Sequence, residues 1–350
     1  MIKVLVVDDS AVVRHLISSV LEDEPEIQVV GTARDGQDAI EKVDRLAPDV
    51  VTLDIEMPRL DGLETLRVLR PRHPKLPVIM FSTLTERGAS ATLEALSLGA
   101  SDFVTKPVTS SSVSESKAAV RDQLVPRIHA LAGMRRVAGS SPPRRPRRDR
   151  PAPSHPPEIL VVASSTGGPD ALVRVLSGLP GDFALPVVVV QHMPPVFTTM
   201  FAQRLDRVSA LDVREARDGD VARRGRVLLA PGDHHLRLTT RGLDLVATLD
   251  QGEPEHYCRP AADPLLRSAV ATCRGRVLAV VLTGMGVDGL AGCRDVVDGG
   301  GAVLAQDEAT SVVWGMPGAV ARAGLADEVL PLDRIAQRIN ARATQALTST

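Results

Sequence analysis

Runs of consecutive aliphatic residues, many of them β-branched, recur along the chain, and each ends on polar side chains. Lys3–Val7 ends on Asp8-Asp9-Ser10, Asp49–Asp54 closes on its own carboxylate, Pro77–Ser82 closes on a hydroxyl, and Ser101–Thr105 ends beside Lys106. Apolar runs without alternation mark strands buried on both faces, the habit of parallel sheets. Ile27–Gly31 is a shorter run of the same kind. Between these runs the apolar spacing changes to three and four, which predicts helices over Val12–Leu21 and Gly36–Leu46. Five strands alternating with helices predict a doubly wound parallel sheet whose polar residues gather on one edge.

The pattern loosens after Pro107. Thr109–Ser116 is serine-rich, and Lys117–Leu131 carries a last helix. Ser140–Pro157 then packs Pro142, Pro143, Pro146, Pro151, Pro153, Pro156 and Pro157 among Arg144, Arg145, Arg147, Arg148 and Arg150. Proline at that density favours extended, semi-rigid chain, so a linker over 123–157 is expected. The strand signal resumes at Ile159–Val162 and runs into Ser164-Ser165-Thr166-Gly167-Gly168, with helical spacing from Pro169. Leu185–His192, Gly225–Gly232, Arg276–Leu282 and Gly301–Ala305 read as further strands, and Leu236–Ala247 as a hairpin turning at Arg241-Gly242. A second doubly wound sheet over 158–346 follows, giving an α/β chain of two parallel-sheet domains joined by a Pro- and Arg-rich linker.

Composition narrows this picture only a little. The length of 350 residues fits two domains, and the core must be aliphatic, since the chain has one Trp, one Tyr and five Phe. A net charge of −2 gives no overall pull toward nucleic acid, and the linker arginines lack the interleaved aromatics that stack on bases. Cys258, Cys273 and Cys293 are odd in number and lack CxxC spacing, so reduced, partly buried thiols are expected rather than disulfides or structural zinc. With no signal peptide and no apolar run near the roughly 18 residues of a membrane span, a cytoplasmic monomer without membrane insertion is the expectation.

The first sheet edge collects Asp8, Asp9 and Asp54, whose mutual repulsion calls for an oxygen-ligated cation such as Mg²⁺. Ser82 and Lys106 end neighbouring strands, where they can meet a group added to Asp54. Residues 1–122 resemble a response-regulator receiver domain: Asp8-Asp9, Asp54 before Ile55-Glu56-Met57-Pro58 and Asp61-Gly62, then Ser82, Phe103 and Lys106-Pro107. The resemblance implies a flavodoxin-like domain phosphorylated on Asp54 by a histidine kinase. It implies Mg²⁺ held by Asp9, Asp54 and the Glu56 backbone carbonyl beside Asp8. It also implies a switch formed by Ser82 and Phe103, with Lys106 as counter-charge.

In the second sheet the turn after Ile159–Val162 suits either an anion cradle or a serine nucleophile. Ser165, His192 and Asp288 all fall on loops at strand ends, and together they are the parts of acyl-transfer catalysis. His234-His235 lacks a third ligand at metal spacing, so a turn or surface role is expected. Ala163-Ser-Ser-Thr-Gly-Gly168, Gln191-His-Met-Pro-Pro195, Ala230-Pro-Gly-Asp233, Leu282-Thr-Gly-Met-Gly286 with Asp288-Gly289, and Gly315-Met-Pro317 resemble the chemotaxis protein-glutamate methylesterases. That resemblance implies a Rossmann-like esterase domain that needs no cofactor. It implies the triad Ser165, His192 and Asp288, with Met285 and Thr166 at the oxyanion. It implies γ-methyl-glutamyl esters of methyl-accepting chemoreceptors as substrates, with deamidation of receptor glutamines, and control by the receiver, which is expected to cover the catalytic mouth until phosphorylated. Ser164 stands where the resemblance expects Ala, and Val287 where it expects Asn. A phosphate-binding module and a DNA-binding regulator fit less well. The chain has no GxxxxGK[ST] or GxGxxG, and no helix-turn-helix follows the linker.

Overall fold

The computed structural model describes residues 1–107, 112–137 and 155–348, and the chain divides into two compact units, Met1–Pro142 and Pro143–Thr350. The first unit runs β1 (Ile2–Val7), α1 (Ala11–Glu22), β2 (Ile27–Ala33), α2 (Gly36–Leu46), β3 (Val50–Asp54), α3 (Gly62–Arg72), β4 (Val78–Ser82), α4 (Glu86–Ser97), β5 (Asp102–Thr105) and α5 (Val113–Val137). Its five strands are parallel in the order β2-β1-β3-β4-β5. Every position of β3 and β4 is buried, as unbroken apolar runs require. Side chains at strand ends also start the helices. Ser10 accepts from Val13 N at 3.4 Å, Asp35 from Asp38 N at 2.9 Å, and Asp61 forms a capping box with Glu64.

Helix α5 is longer than the sequence pattern suggests and passes residue 122, the expected end of the domain. Its buried stripe, Val120, Leu124, Ile128 and Leu131, continues across that point, so apolar burial carries the helix on despite the internal Pro126.

The second unit runs β6 (Ile159–Ser164), α6 (Gly168–Ser177), β7 (Val187–Gln191), α7 (Phe197–Val208), β8 (Asp212–Glu215), β9 (Arg226–Leu229), β10 (His235–Arg241), β11 (Asp244–Asp250), α8 (Ala262–Thr272), β12 (Val277–Val281), α9 (Leu290–Asp298), β13 (Ala302–Gln306), α10 (Met316–Arg322), β14 (Glu328–Leu330) and α11 (Leu332–Thr348). Seven strands form one parallel sheet in the order β14-β13-β12-β6-β7-β9-β8. The chain leaves β6 toward β7 and later returns to the other side of β6 as β12. The crevice beyond the carboxyl ends of these three strands is therefore a topological switch point, where open α/β sheets place their ligands. The core is aliphatic, with Val161, Ala163, Val188, Val190, Leu228 and Ala279 from the strands packed on Leu265, Leu266 and Ala269 of α8.

Strands β10 and β11 form a separate antiparallel hairpin packed on α8. Arg241 pairs with Asp244, so the two-residue loop is Gly242-Leu243, one position later than the expected Arg241-Gly242. Gly242 supplies the positive φ of 65° that the turn demands. Among the described residues no helix is long and apolar enough to cross a membrane.

Candidate functional sites

At the carboxyl edge of the first sheet, Asp8 and Asp54 are buried, Asp9 is exposed, and one carboxylate oxygen from each lies within 4.8 Å of the others. Lys106 Nζ sits 3.0 Å from Asp8 Oδ2 and 2.8 Å from Asp54 Oδ1. One ammonium thus serves two buried carboxylates. Asp8 Oδ2 meets the ion-pair distance without hydrogen-bond alignment, and Asp54 Oδ2 has no hydrogen-bond partner at all. Burial, and then the charge on Asp8, push the Asp54 carboxyl up to about 6 against the pull of Lys106. Burial likewise raises Asp8. Uncompensated charge and an orphaned oxygen suit a hard, oxygen-ligated cation, so Asp8, Asp9 and Asp54 fit Mg²⁺. Glu56 donates its N–H to Asp54, while its exposed side chain lies 3.6 Å from Arg87. Ser82 is buried at the end of β4, with Oγ donating to Thr83 O at 3.3 Å, and its carbonyl accepts Lys106 N at 2.7 Å. Phe103 is buried on β5, opposite Met80.

A stability prediction follows from the charge on Asp54. Its folded pKa lies above the ordinary 3.8, so folding carries a cost that is absent at low pH, grows as pH rises past 3.8, and is complete above about 6. Two units correspond to about 3 kcal/mol. Asp54→Asn is therefore expected to raise the unfolding midpoint of the first unit by about 5 °C or more at pH 8 and by little near pH 4. Mg²⁺ should raise the wild-type midpoint at pH 8 and leave the variant nearly unmoved. Calorimetry at the two pH values checks both.

In the second unit the strand ladder itself sorts the paired serines. Ser164 faces Gln191 in the β6–β7 register, and its Oγ donates to Gln191 Oε1 at 2.7 Å in the buried interior. Ser165 and His192 follow these last strand residues on the loops beyond the sheet, where His192 N donates to Ser164 O at 3.1 Å. Ser165 is half-buried. The turn around it depends on missing side chains. A Cβ on Gly168 would come within 2.0 Å of Gln191 Oε1, and one on Gly284 within 2.9 Å of Ser165 Cβ.

His192 Nε2 lies 2.7 Å from Asp288 Oδ2, and both side chains are largely buried. Asp288 also accepts Ala262 N at 2.6 Å, Asp263 N at 3.0 Å and Gly289 N at 2.9 Å. Burial opposes its charge, but His192 and these backbone donors hold its carboxyl below the usual range. A carboxylate at Nε2 fixes the proton there and leaves Nδ1 as the basic nitrogen. That nitrogen faces Cys258 Sγ at 3.4 Å, and the Ser165 hydroxyl makes no hydrogen bond to the ring in this structure. Burial disfavours the protonated ring, yet Cys258 and Asp288 outweigh it and raise His192 above the ordinary imidazole value.

The loop after β12 borders Ser165. Thr283 Oγ1 approaches Thr166 O at 2.9 Å, Thr283 N donates to Gln306 Oε1 at 2.8 Å, and Gly284 N donates to Val313 O at 3.0 Å. Ser165 N itself donates to Thr283 O at 3.0 Å. The Met285 N–H, next along, donates to no backbone acceptor among the described residues. Thr166 is buried beneath the turn.

Sequence reasoning placed Gln191 and Thr283 at strand ends without the side-chain bonds they make, and it missed Gln306 and a second His–Asp pair in which His256 Nε2 lies 2.9 Å from Asp263 Oδ2. Asp263, buried at the start of α8, also accepts Gly292 N at 2.7 Å and so ties α8 to α9 behind Asp288. His256, Asp263 and Asp288 are close enough to hold a metal, but each Asp288 oxygen already accepts two hydrogen bonds, which leaves no lone pair for an ion. His235 departs from the expected surface or turn role. It is 1% exposed, with ring nitrogens engaged by Glu253 O at 3.0 Å and Ala261 N at 3.3 Å, because β10 turns its side chain into the core. Cys273 and Cys293 are buried and Cys258 is half-buried, and none of the three is in a disulfide among the described residues.

Comparison with known proteins finds a match to the CheB methylesterase family model over residues 160–339 and to the response regulator receiver domain model over residues 4–116. The chain is 55% identical to a protein-glutamate methylesterase/protein-glutamine glutaminase of a Nocardioides species, over 95% of this chain and 92% of that protein. It is 46% identical to a protein of the same name from Trichodesmium erythraeum, over 96% and 97%. Among solved structures, the catalytic domain of the Thermotoga maritima CheB methylesterase aligns with a TM-score of 0.52 at 44% identity, covering 53% of this chain and 98% of that one.

Proposed function

Because this chain belongs to the CheB methylesterase family and carries a response-regulator receiver domain ahead of the catalytic part, we propose that it hydrolyses γ-glutamyl methyl esters on methyl-accepting chemoreceptors, with Ser165, His192 and Asp288 as catalytic residues. The observation that carries the assignment is the His192–Asp288 contact of 2.7 Å, with Ser165 and His192 each following directly on the paired ends of β6 and β7. Ser165 Oγ attacks the ester carbonyl and passes its proton to His192 Nδ1, while Asp288 stabilises the resulting imidazolium. The negative charge on the carbonyl oxygen is met by the Met285 N–H, with Thr166 shaping the turn beneath it. The tetrahedral intermediate expels methoxide, which leaves as methanol with the proton from Nδ1. Water then repeats the sequence on the acyl-enzyme, giving glutamate and restoring Ser165. A receptor glutamine reacts by the same route with ammonia as the leaving group. No metal takes part in these steps.

In the receiver unit, Asp54 Oδ2 is the phosphoacceptor, its orphaned state leaving a lone pair for attack on phosphorus. Asp8, Asp9, Asp54 and the Glu56 backbone would hold Mg²⁺, which would supply charge neutralisation for phosphoryl transfer from a histidine kinase. Lys106, already 2.8 Å from Asp54, pairs with the new charge, and Ser82 and Phe103 respond to it. The two units share one chain so that this event sets the esterase rate, and tenfold activation needs only about 1.4 kcal/mol of coupling. The test is methanol release from methylated receptor membranes by the full chain. A small phosphodonor with Mg²⁺ is expected to raise the rate, and Asp54→Ala to abolish the rise while keeping the basal rate. No methanol release under either condition would overturn the reading.

A further inference from the structure

Resting on that reading of His192 as the esterase base, we propose that Cys258 is a modification site for soft electrophiles, hydrogen peroxide among them, and that its modification shuts off ester hydrolysis. Its thiol faces His192 Nδ1 at 3.4 Å, and the other ring nitrogen is held by Asp288 at 2.7 Å. Thiol, imidazole and carboxylate thus stand in the order nucleophile, base, orienting group, the arrangement that converts a thiol to a reactive thiolate. With the neutral ring's proton on Nε2, the S–H is placed to donate to Nδ1, the nitrogen that Ser165 needs. Asp288 stabilises the imidazolium formed when the thiol proton moves across.

The position of Cys258 is built, and it is open. Cys258 N donates to Glu255 O at 2.9 Å and Glu255 N to Cys258 O at 3.1 Å, closing a tight bridge. Next to it, Arg259 is clamped on Asp233 through Nε at 3.1 Å and Nη2 at 2.6 Å. The segment that holds the sulfur is thereby fixed against the histidine, while the residue stays half-buried and reachable, and the neighbouring Tyr257 is fully exposed. The other two cysteines differ in being buried. Cys273 is 5% exposed, with its thiol pushed up by burial to about 11, and Cys293 is fully buried.

The oxidation balances without a further reactant. The thiolate attacks one peroxide oxygen, an S–O bond forms as the O–O bond breaks, and the sulfur loses two electrons. The departing hydroxide takes the imidazolium proton as water, so thiol and peroxide give sulfenic acid and water. The new oxygen, or a bulkier alkyl adduct, then occupies the space on the Nδ1 side and keeps Ser165 from delivering its proton.

The experiment treats the full chain at pH 7 with N-ethylmaleimide, and separately with hydrogen peroxide, and follows each cysteine by peptide mass alongside methanol release. Cys258 is expected to react at least about tenfold faster in the wild type than in His192→Gln, because the ring at 3.4 Å takes the thiol proton as the sulfur attacks. Cys273 and Cys293 serve as the internal gauge of folding and should stay unmodified in both. Methanol release should fall in proportion to modified Cys258, and Cys258→Ala should keep all of its own untreated rate after the same exposure. Equal labelling of Cys258 in wild type and His192→Gln, with the buried cysteines still protected, would overturn the activation. Full modification of Cys258 with methanol release intact would overturn the shut-off. If the untreated chain released no methanol, the esterase reading would fall, and the labelling contrast would still judge the thiol.

Discussion

Ser165→Ala is expected to lower turnover on a glutamyl methyl ester by about 10³-fold or more, while Ser164→Ala holds turnover within about tenfold of wild type. The two hydroxyls are neighbours in sequence, but Ser164 is the last residue of β6 and Ser165 begins the turn that follows it. Ser164 is fully buried and spends its hydroxyl on Gln191 Oε1 at 2.7 Å. Removing it leaves a buried amide oxygen short of a donor, a loss of about 1–3 kcal/mol in stability. Gln191 also steadies the catalytic turn, since its Nε2 donates to Ser165 O at 3.0 Å and His192 O at 3.2 Å, so a mild kinetic effect comes with that loss. Steady-state methanol release with urea unfolding of both variants separates the roles. Equal kinetic losses, or the larger loss at Ser164, would reverse the assignment.

Asp288→Asn should cost about 10³–10⁴-fold in turnover. The carboxylate accepts four donors: His192 Nε2, Ala262 N, Asp263 N and Gly289 N. An amide cannot. With its NH₂ toward His192 it opposes Ala262 N and moves the ring proton to Nδ1, which disables the base. With its NH₂ turned the other way it opposes Asp263 N and Gly289 N. Either orientation strands donors at the start of α8 or α9, so a stability loss of about 1–3 kcal/mol accompanies the kinetic one. Turnover and thermal unfolding measured on the same preparation check both parts. Turnover near wild type would remove Asp288 from the mechanism.

The strands of both sheets were legible because burial on two faces writes itself as an unbroken aliphatic run, as in Val50–Asp54 and Val187–Gln191. What lay beyond the sequence was short or distant. Strand β8, Asp212–Glu215, sits at a sheet edge with a half-polar pattern, and β14, Glu328–Leu330, has only three residues, so neither carries a periodic signal. The four donors around Asp288 come from segments up to 96 positions away, and the contact of Cys258 with His192 spans 66. Loop closures of that length leave no local trace. The Arg-rich linker expected over 123–157 falls in part outside the described residues, from 138 to 154.

A serine-directed fluorophosphonate is the most direct probe of Ser165 as the nucleophile of a serine esterase. Its phosphorus resembles the tetrahedral intermediate, and the adduct can be mapped by peptide mass while methanol release is followed in the same sample. The predicted result is one adduct, on Ser165, formed in step with loss of methanol release and absent from Ser165→Ala. Full labelling of Ser165 with methanol release intact, or complete inactivation with Ser165 unmodified, would contradict it.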